Sequence, residues 1–119
     1  RVAGGATPID AETAHPLVAR NLEALPDGHV QLRTDARLLR PSLVRFSPEQ
    51  MGAMLTAIRC PVLLVEGETG IMRERTWARQ ARAAVTTLTR CVLSGGHHLH
   101  LEPASVDEVA KAIVWWQES

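Results

Sequence analysis

The second half of the chain alternates short apolar runs with segments whose apolar residues recur every three to four positions. Residues 61–65 (PVLLV) and 88–93 (LTRCVL) are too short for amphipathic helices and contain β-branched residues, which favours strands. The first run is apolar throughout, as is typical of a strand buried on both faces of a parallel sheet. Residues 73–84 and 105–117 have helical periodicity. The order strand, helix, strand, helix predicts a right-handed βαβ unit followed by one more helix. The residues predicted to face inward on the two helices are Trp77, Ala81, Ala84, Val106, Val109, Ala110, Ile113 and Trp116.

The first half of the chain is rich in loops and contains no comparable apolar run. Residues 1–8 (RVAGGATP) form a predicted loop, because glycine and proline break regular structure. Asp10 is placed to cap a helix whose apolar stripe includes Leu22 and Leu25. That helix is predicted to end at the turn of residues 26–28 (PDG).

A second helix is predicted from its start signal. Ser47 is the expected N-cap, Pro48 takes the first helical position, and Gln50 completes a capping box. Between the two helices, residues 29–33 are compatible with an extended segment and residues 35–39 with a short turn or helix.

Composition narrows the class of protein. Hydrophobic residues make up 45% of the 119 positions, which is enough for a folded core. The 13 basic residues balance the 13 acidic ones, so charge gives no case for a nucleic-acid or membrane-surface partner. No apolar run approaches the ~18 residues that span a bilayer, and no signal peptide is recognisable, so we predict a cytoplasmic protein. Cys60 and Cys91 form no disulfide or zinc pattern and are predicted to be small buried hydrophobes.

Candidate chemistry is concentrated after the second strand. Gly95 and Gly96 end that strand, and His97, His98 and His100 follow. In an extended segment adjacent side chains point to opposite sides, so His98 and His100 would share a side. Three imidazoles leave a metal site and a purely structural role open as alternatives. A loop at a strand end can hold an imidazole towards a cleft, and this position favours a general base.

The motifs PVLLVEGETG and VLSGGHHLHLEPASVDEVAKAIVWW, separated by an arginine-rich helix, resemble the C-terminal end of the α/β-hydrolase fold. In that family a strand of the type P-x-L-x-x-x-G-E is followed by a strand that leads into a Gly-His motif. The segment RTDARLLRPSLVRFSPEQ and the motif GGHHLHLE are most similar to the serine hydrolase-like branch. The fold class implied is α/β: two parallel strands with flanking helices, from the C-terminal part of the hydrolase core, plus a helical cap segment. The implied division is residues 1–55 for the cap and residues 56–119 for the core.

The resemblance assigns a role to each candidate residue. His97 directly follows Gly96 and matches the catalytic histidine, a general base and then a general acid. His98 and His100 would line or support the site. Glu68 lies near the position of the acid, but in the family that glutamate is usually not the acid. No cofactor and no metal are implied.

The family's nucleophile elbow, G-x-S-x-G, is absent from the chain. The expected protein is therefore the histidine-bearing part of an enzyme that hydrolyses an ester or related acyl bond, and the chain alone is expected to be inactive. The nucleophile and the rest of the sheet would come from the N-terminal half of the fold or from a partner chain, including a second copy. Apolar cap residues suggest an apolar small-molecule substrate. Two alternatives stay open: a non-catalytic interaction module, and a haloalkane- or epoxide-type hydrolase with an aspartate nucleophile.

Overall fold

The computed structural model describes residues 7–72 and 75–119. The chain divides into two compact units, one formed by Asp10–Arg45 and the other by the described residues on either side of it. The protein is a mixed α/β structure with two small sheets. Within the described residues, no helix has the length and apolarity needed to cross a bilayer. The loop predicted for residues 1–8 and the helix start predicted at residue 73 fall largely outside the described residues.

The first unit begins with helix α1 (Ala11–Asn21), and its start is the one predicted. The Asp10 carboxylate accepts hydrogen bonds from the backbone N–H and the hydroxyl of Thr13, each at 2.8 Å. These bonds favour the ionised carboxylate and lower the pKa of Asp10. Pro16 lies inside the helix, in its second turn, without ending it.

A β-hairpin follows α1 and corrects two predictions. Strands β1 (Leu22–Ala24) and β2 (Val30–Leu32) pair antiparallel. Leu22 and Leu25 therefore do not belong to the helix, whereas β2 agrees with the extended segment predicted at residues 29–33. The spacing of Leu22 and Leu25 is compatible with one face of a helix. A spacing pattern of a few residues does not show that one of them pairs with a residue on another strand. The turn of residues 26–28 closes the hairpin instead of stopping the helix, with Gly28 at φ 83°.

Two short helices begin at side-chain caps, of which the one at Ser47 is predicted from the sequence. A 3₁₀ helix (Ala36–Leu39) starts after Asp35, whose carboxylate accepts from the backbone N–H of Arg37 at 2.8 Å. Helix α2 (Pro48–Thr56), in the second unit, has both halves of the predicted capping box. The Ser47 hydroxyl accepts from the Gln50 N–H, and the Gln50 side chain accepts from the Ser47 N–H at 2.8 Å.

The second unit contains the predicted parallel pair. Strands β3 (Val62–Gly67) and β4 (Leu88–Leu93) pair in parallel register, with helix α3 (Thr76–Ala84) between them in the chain and helix α4 (Val106–Gln117) after them. Only the last two residues of β3 are buried, and Val62–Val65 are half-buried. The expected burial on both faces is thus incomplete within this chain.

The predicted inward faces of α3 and α4 are partly wrong. Ala78, not Trp77, is the buried residue of α3, and Trp77 is 51% exposed. On α4, Val106 and Ile113 are about two-fifths exposed, whereas Trp116 is half-buried as predicted. Cys60 is also exposed, which corrects the expectation of a buried thiol. Large apolar side chains at the surface indicate faces that this unit does not cover by itself.

A buried carboxylate joins the sheet to α3. Glu66 of β3 is 9% exposed and accepts from Arg82 of α3 at 2.7 Å and from Arg90 of β4 at 2.5 Å. Arg90 stands opposite Leu64 in the register, so its side chain shares a sheet face with Glu66. One carboxyl group thereby connects all three elements of the βαβ unit.

Replacing Glu66 by Ala should lower the free energy of unfolding by about 2 to 4 kcal/mol, because it removes the buried carboxylate that the guanidinium groups of Arg82 and Arg90 share. The expected loss is at the lower end since the Arg90 side chain is 40% exposed. Urea denaturation measures the change. Glu108→Ala removes an exposed partner of Lys111 and is the control, with an expected loss of about 0.5 kcal/mol or less. Equal effects of the two changes would contradict the assignment.

Candidate active site

The histidine loop, residues 94–102, begins where β4 ends and leads into α4. Gly95 has φ 129°, a conformation that side-chain-bearing residues rarely adopt. The chain bends at Ser94 and Gly95, directly after the strand. A hydrogen-bonded turn follows, in which the Leu101 N–H donates to the His98 carbonyl at 2.7 Å and the Glu102 N–H donates to the same oxygen at 3.3 Å. The strand therefore ends at the glycine pair, as predicted, at the carboxyl end of the sheet.

Gly67 brings the end of β3 against this loop. A Cβ atom at Gly67 would lie 2.2 Å from the carbonyl oxygen of Gly96 and 2.6 Å from that of Gly95. Neither distance is compatible with any side chain, and both oxygens belong to the backbone. The missing side chain of Gly67 thus allows the histidine loop to lie directly on the neighbouring strand.

Two hydroxyl groups fasten the same loop. Thr69 donates its backbone N–H at 3.1 Å and its hydroxyl at 2.9 Å to the carbonyl of Gly95. The buried Ser105 donates its hydroxyl to the carbonyl of Ser94 at 2.9 Å. The residues that immediately precede His97 are therefore held by the loop after β3 on one side and by the start of α4 on the other.

The structure brings the three histidines together in a turn and not in an extended segment. The ring centroids of His97 and His98 are 5.0 Å apart in an edge-to-face arrangement, and those of His98 and His100 are 6.2 Å apart. The expectation that adjacent rings point to opposite sides is wrong, because residues 97–100 do not have strand geometry. His97 and His100 are exposed, and the half-buried His98 places its Nε2 3.1 Å from the hydroxyl of Thr7.

Two predictions concern the surroundings of His97: a possible metal site at the histidines, and Glu68 as a possible acid beside the imidazole. Across residues 7–72 and 75–119, no group of three or more His, Cys, Asp or Glu side chains is arranged to hold a metal ion. Glu68 is exposed at the start of the loop after β3, and its backbone N–H donates to the Leu93 carbonyl at 2.9 Å. The role of Glu68 as a partner of the His97 ring stays a prediction.

A cavity of about 420 Å³ borders His97 and His100. Every residue of β3 lines it, together with apolar side chains such as Leu55, Met72 and Trp77. Consecutive side chains of a strand point to opposite faces of the sheet. A cavity that contacts every residue of β3 therefore runs along the edge of β3.

The sequence predicts His97 and Gly96 as site residues, but it does not predict the residues that hold them. Gly67, Thr69 and Ser105 act on the loop through tertiary contacts, which local patterns do not reveal. One signal is present for Gly67, because it is the glycine of the P-x-L-x-x-x-G-E pattern.

Comparison with known proteins agrees with this geometry. No family model matches the chain. A serine hydrolase-like protein from Dictyostelium discoideum is 33% identical over 108 residues, which cover 82% of this chain and 30% of the relative. A hypothetical protein from Pseudomonas aeruginosa PAO1 has a solved structure with a TM-score of 0.86 and 33% identity, over 98% of this chain and 41% of that one. The thioesterase domain from the curacin biosynthetic pathway has a TM-score of 0.63 and 26% identity, over 89% of this chain and 38% of that domain.

These similarities support the α/β-hydrolase-fold superfamily. The chain spans less than half the length of each of these relatives.

Gly67→Ala tests the close approach of β3 to the histidine loop. We expect it to lower the free energy of unfolding by about 2 to 3 kcal/mol, because backbone atoms must move to admit the methyl group. Gly52→Ala is the matched control, since a Cβ there meets nothing within 4 Å and α2 should gain about 0.5 to 1 kcal/mol. Urea denaturation gives both values. A Gly67→Ala protein as stable as the original would contradict the direct contact between β3 and the loop.

Proposed function

We propose that the chain provides the catalytic histidine of a serine hydrolase-like enzyme that cleaves an ester or related acyl bond. The observation that carries this proposal is the setting of His97. Its side chain is exposed at the carboxyl end of β4, and the loop before it is held by close packing against Gly67 and by hydrogen bonds from Thr69 and Ser105. Ligands of open α/β sheets bind at this edge.

The proposed reaction uses the two protonation states of the His97 imidazole. The neutral ring takes the proton from a serine hydroxyl as that oxygen attacks the acyl carbon. The imidazolium then gives the proton to the leaving oxygen or sulfur, and an acyl-enzyme remains. In the second half of the reaction, His97 takes a proton from a water molecule whose oxygen attacks the acyl carbon. The bond to the serine oxygen breaks, the serine oxygen takes the proton from His97, and the carboxylic acid is released.

The nucleophile and the acid are proposed to come from the remainder of the hydrolase fold. The chain's serines are Ser42, Ser47, Ser94, Ser105 and Ser119, and none has the flanking glycines of a nucleophile elbow. Ser105 is buried with its hydroxyl on a carbonyl, and Ser47 caps α2. An orienting carboxylate on the imidazole is worth about 10⁴ in rate in such triads, so an acid from outside these residues is part of the proposal.

The same remainder is proposed to pair with the open edge of β3. The N–H groups of Val62 and Glu68 donate towards β4, at 3.1 and 2.9 Å. In a parallel pair the donors alternate, so the N–H groups of Leu63 and Val65 point away from β4. The cavity along this edge is, on this proposal, the position of a neighbouring strand and not the acyl pocket. A second copy of the chain, or another partner chain, would fill the same position in a non-catalytic module.

An apolar small-molecule substrate also remains part of the proposal. Leu38, Leu43 and Phe46 are exposed, from 50% upwards, in the segment assigned to the cap. Such side chains would contact an apolar acyl group more favourably than water.

A serine-directed fluorophosphonate probe should leave the 119-residue chain unlabelled and label a longer chain that includes the upstream part of the fold. In that longer chain, His97→Ala should lower kcat/KM for a small ester by at least about 10³-fold, because the general base is lost. His29→Ala is the control and should have no effect, since His29 lies exposed on the hairpin.

Each arm can contradict the proposal. Labelling of the 119-residue chain would place the nucleophile among its own serines. Esterase activity within about tenfold of the original in His97→Ala would remove its role as base. An active but unlabelled longer chain would favour an aspartate nucleophile and the haloalkane- or epoxide-type alternative.

Val65→Pro tests the strand edge. Proline removes an N–H that points away from β4 and that would be bonded once a neighbouring strand is present. Its cost in unfolding free energy should therefore be larger, by about 1 kcal/mol or more, in the longer chain than in the 119-residue chain. Leu64→Pro is the control, because it breaks pairing with β4 in both. An equal, small cost of Val65→Pro in both chains would contradict the proposed neighbouring strand at the free edge of β3. If Val65→Pro instead dissociates an oligomer of the 119-residue chain, a second copy of the chain occupies that edge.

A further inference from the structure

The side chain of Glu102 folds back over the two glycines that precede His97. Its Oε2 accepts from the Gly96 N–H at 3.4 Å. A Cβ atom at Gly95 would lie 3.1 Å from Oε2, and one at Gly96 would lie 3.1 Å from Oε1. At Gly95 the carboxylate shares this space with the Ser105 hydroxyl and the Leu99 side chain, at 2.9 and 3.0 Å, whereas at Gly96 Oε1 is the neighbour that a Cβ would meet. The positive φ angle of Gly95 already favours glycine at that position. Gly96 has no positive φ angle, so the contact with the carboxylate is what disfavours a side chain at Gly96.

The backbone of Glu102 is itself fixed to the loop and to α4. Its N–H donates to the His98 carbonyl at 3.3 Å, and its carbonyl accepts from the N–H groups of Ser105 and Val106, each at 2.9 Å. The carboxylate thus reaches the Gly96 amide from a main chain that is anchored on both sides. Rotation of the peptide that joins Gly95 to Gly96, directly before the backbone of His97, would break the contact with Oε2.

We propose that Glu102 is a positioning residue for His97: it holds the Gly96 amide and occupies the space above the glycine pair, and so fixes the direction in which the imidazole leaves the loop. This inference rests on the proposed role of His97 as the base. Glu102 acts through the backbone of Gly96 and not on the imidazole. Its contact with Gly96 is long, so the packing of the carboxylate against both glycines accompanies the hydrogen bond in fixing the loop.

A different role for Glu102 is a general electrostatic one, because an acidic group near the N-terminus of α4 is favourable to the helix. Glu108 separates the two roles. It lies in the first turn of α4, carries the same charge and is bonded to Lys111, away from the glycine pair in sequence. Glu108→Ala alters the electrostatics of the helix start and leaves the Gly96 amide contact intact.

Hydrogen exchange of the Gly96 amide in the 119-residue chain measures the contact directly. Glu102→Ala should accelerate that exchange by about fivefold or more, because it removes both the bond and the carboxylate that packs over the amide. Glu102→Gln keeps an acceptor oxygen and should stay within about twofold, and Glu108→Ala should have no effect. Unchanged exchange in Glu102→Ala would overturn the proposal. Equal acceleration by Glu108→Ala would overturn it too.

A double substitution tests the space above the glycines. Gly96→Ala should lower kcat of the longer, active chain by about tenfold or more with KM within about twofold, because the methyl group displaces the carboxylate and the His97 peptide with it. Adding Glu102→Ser to Gly96→Ala should recover part of that loss, since a shorter side chain admits the methyl group. Additive losses would overturn the proposal.

The two proposals fail in different ways. Loss of activity in His97→Ala, together with unaltered Gly96 exchange and full activity in Glu102→Ala, overturns the role of Glu102 alone. Faster exchange in Glu102→Ala, together with full activity in His97→Ala, overturns the proposed function and with it the catalytic purpose of the positioning.

Discussion

The contact between Gly67 and the carbonyl of Gly96 is the constraint on which the rest of the site depends. A strand end and a loop can lie this close only when one of them has no side chain. With Gly67 in place, Thr69 reaches the carbonyl of Gly95, and the loop turns directly into α4. The His97 side chain then leaves a backbone that the surrounding elements have already fixed, which is what the proposed proton transfer at a defined distance requires.

The elements with strong local signals could be predicted from the sequence. The capping box of α2, the N-cap of α1 and both strands of the parallel pair follow from residues that lie within a few positions of each other. The hairpin after α1 could not be predicted in this way, because its pairing joins Leu22 to Leu32. Spacing alone predicts an inward Trp77, whereas the structure buries its neighbour Ala78.

The residues of the candidate site also fall into those with a local sequence signal and those that depend on tertiary contacts. His97 and Gly96 could be proposed from the sequence, because the glycine pair and the imidazole are adjacent in it. The contacts of Gly67 and Thr69 with the loop join positions more than twenty residues apart, and no local pattern specifies them. The position of Glu102 suggests that it closes the loop and favours α4, but its packing over the glycines depends on the turn geometry that only the fold provides. The division at residue 55, the cap and the substrate remain predictions.

The bond between Thr7 and His98 has a consequence for the order in which the protein folds. It joins positions that are 91 residues apart, so closing that loop costs more entropy than forming any hairpin or helix within it. The hydroxyl of Thr7 can reach the imidazole only after the βαβ unit has shaped the histidine loop. We therefore expect this contact to form late in folding and to open early in unfolding, so that the site would lose one of its supports before the sheet itself comes apart.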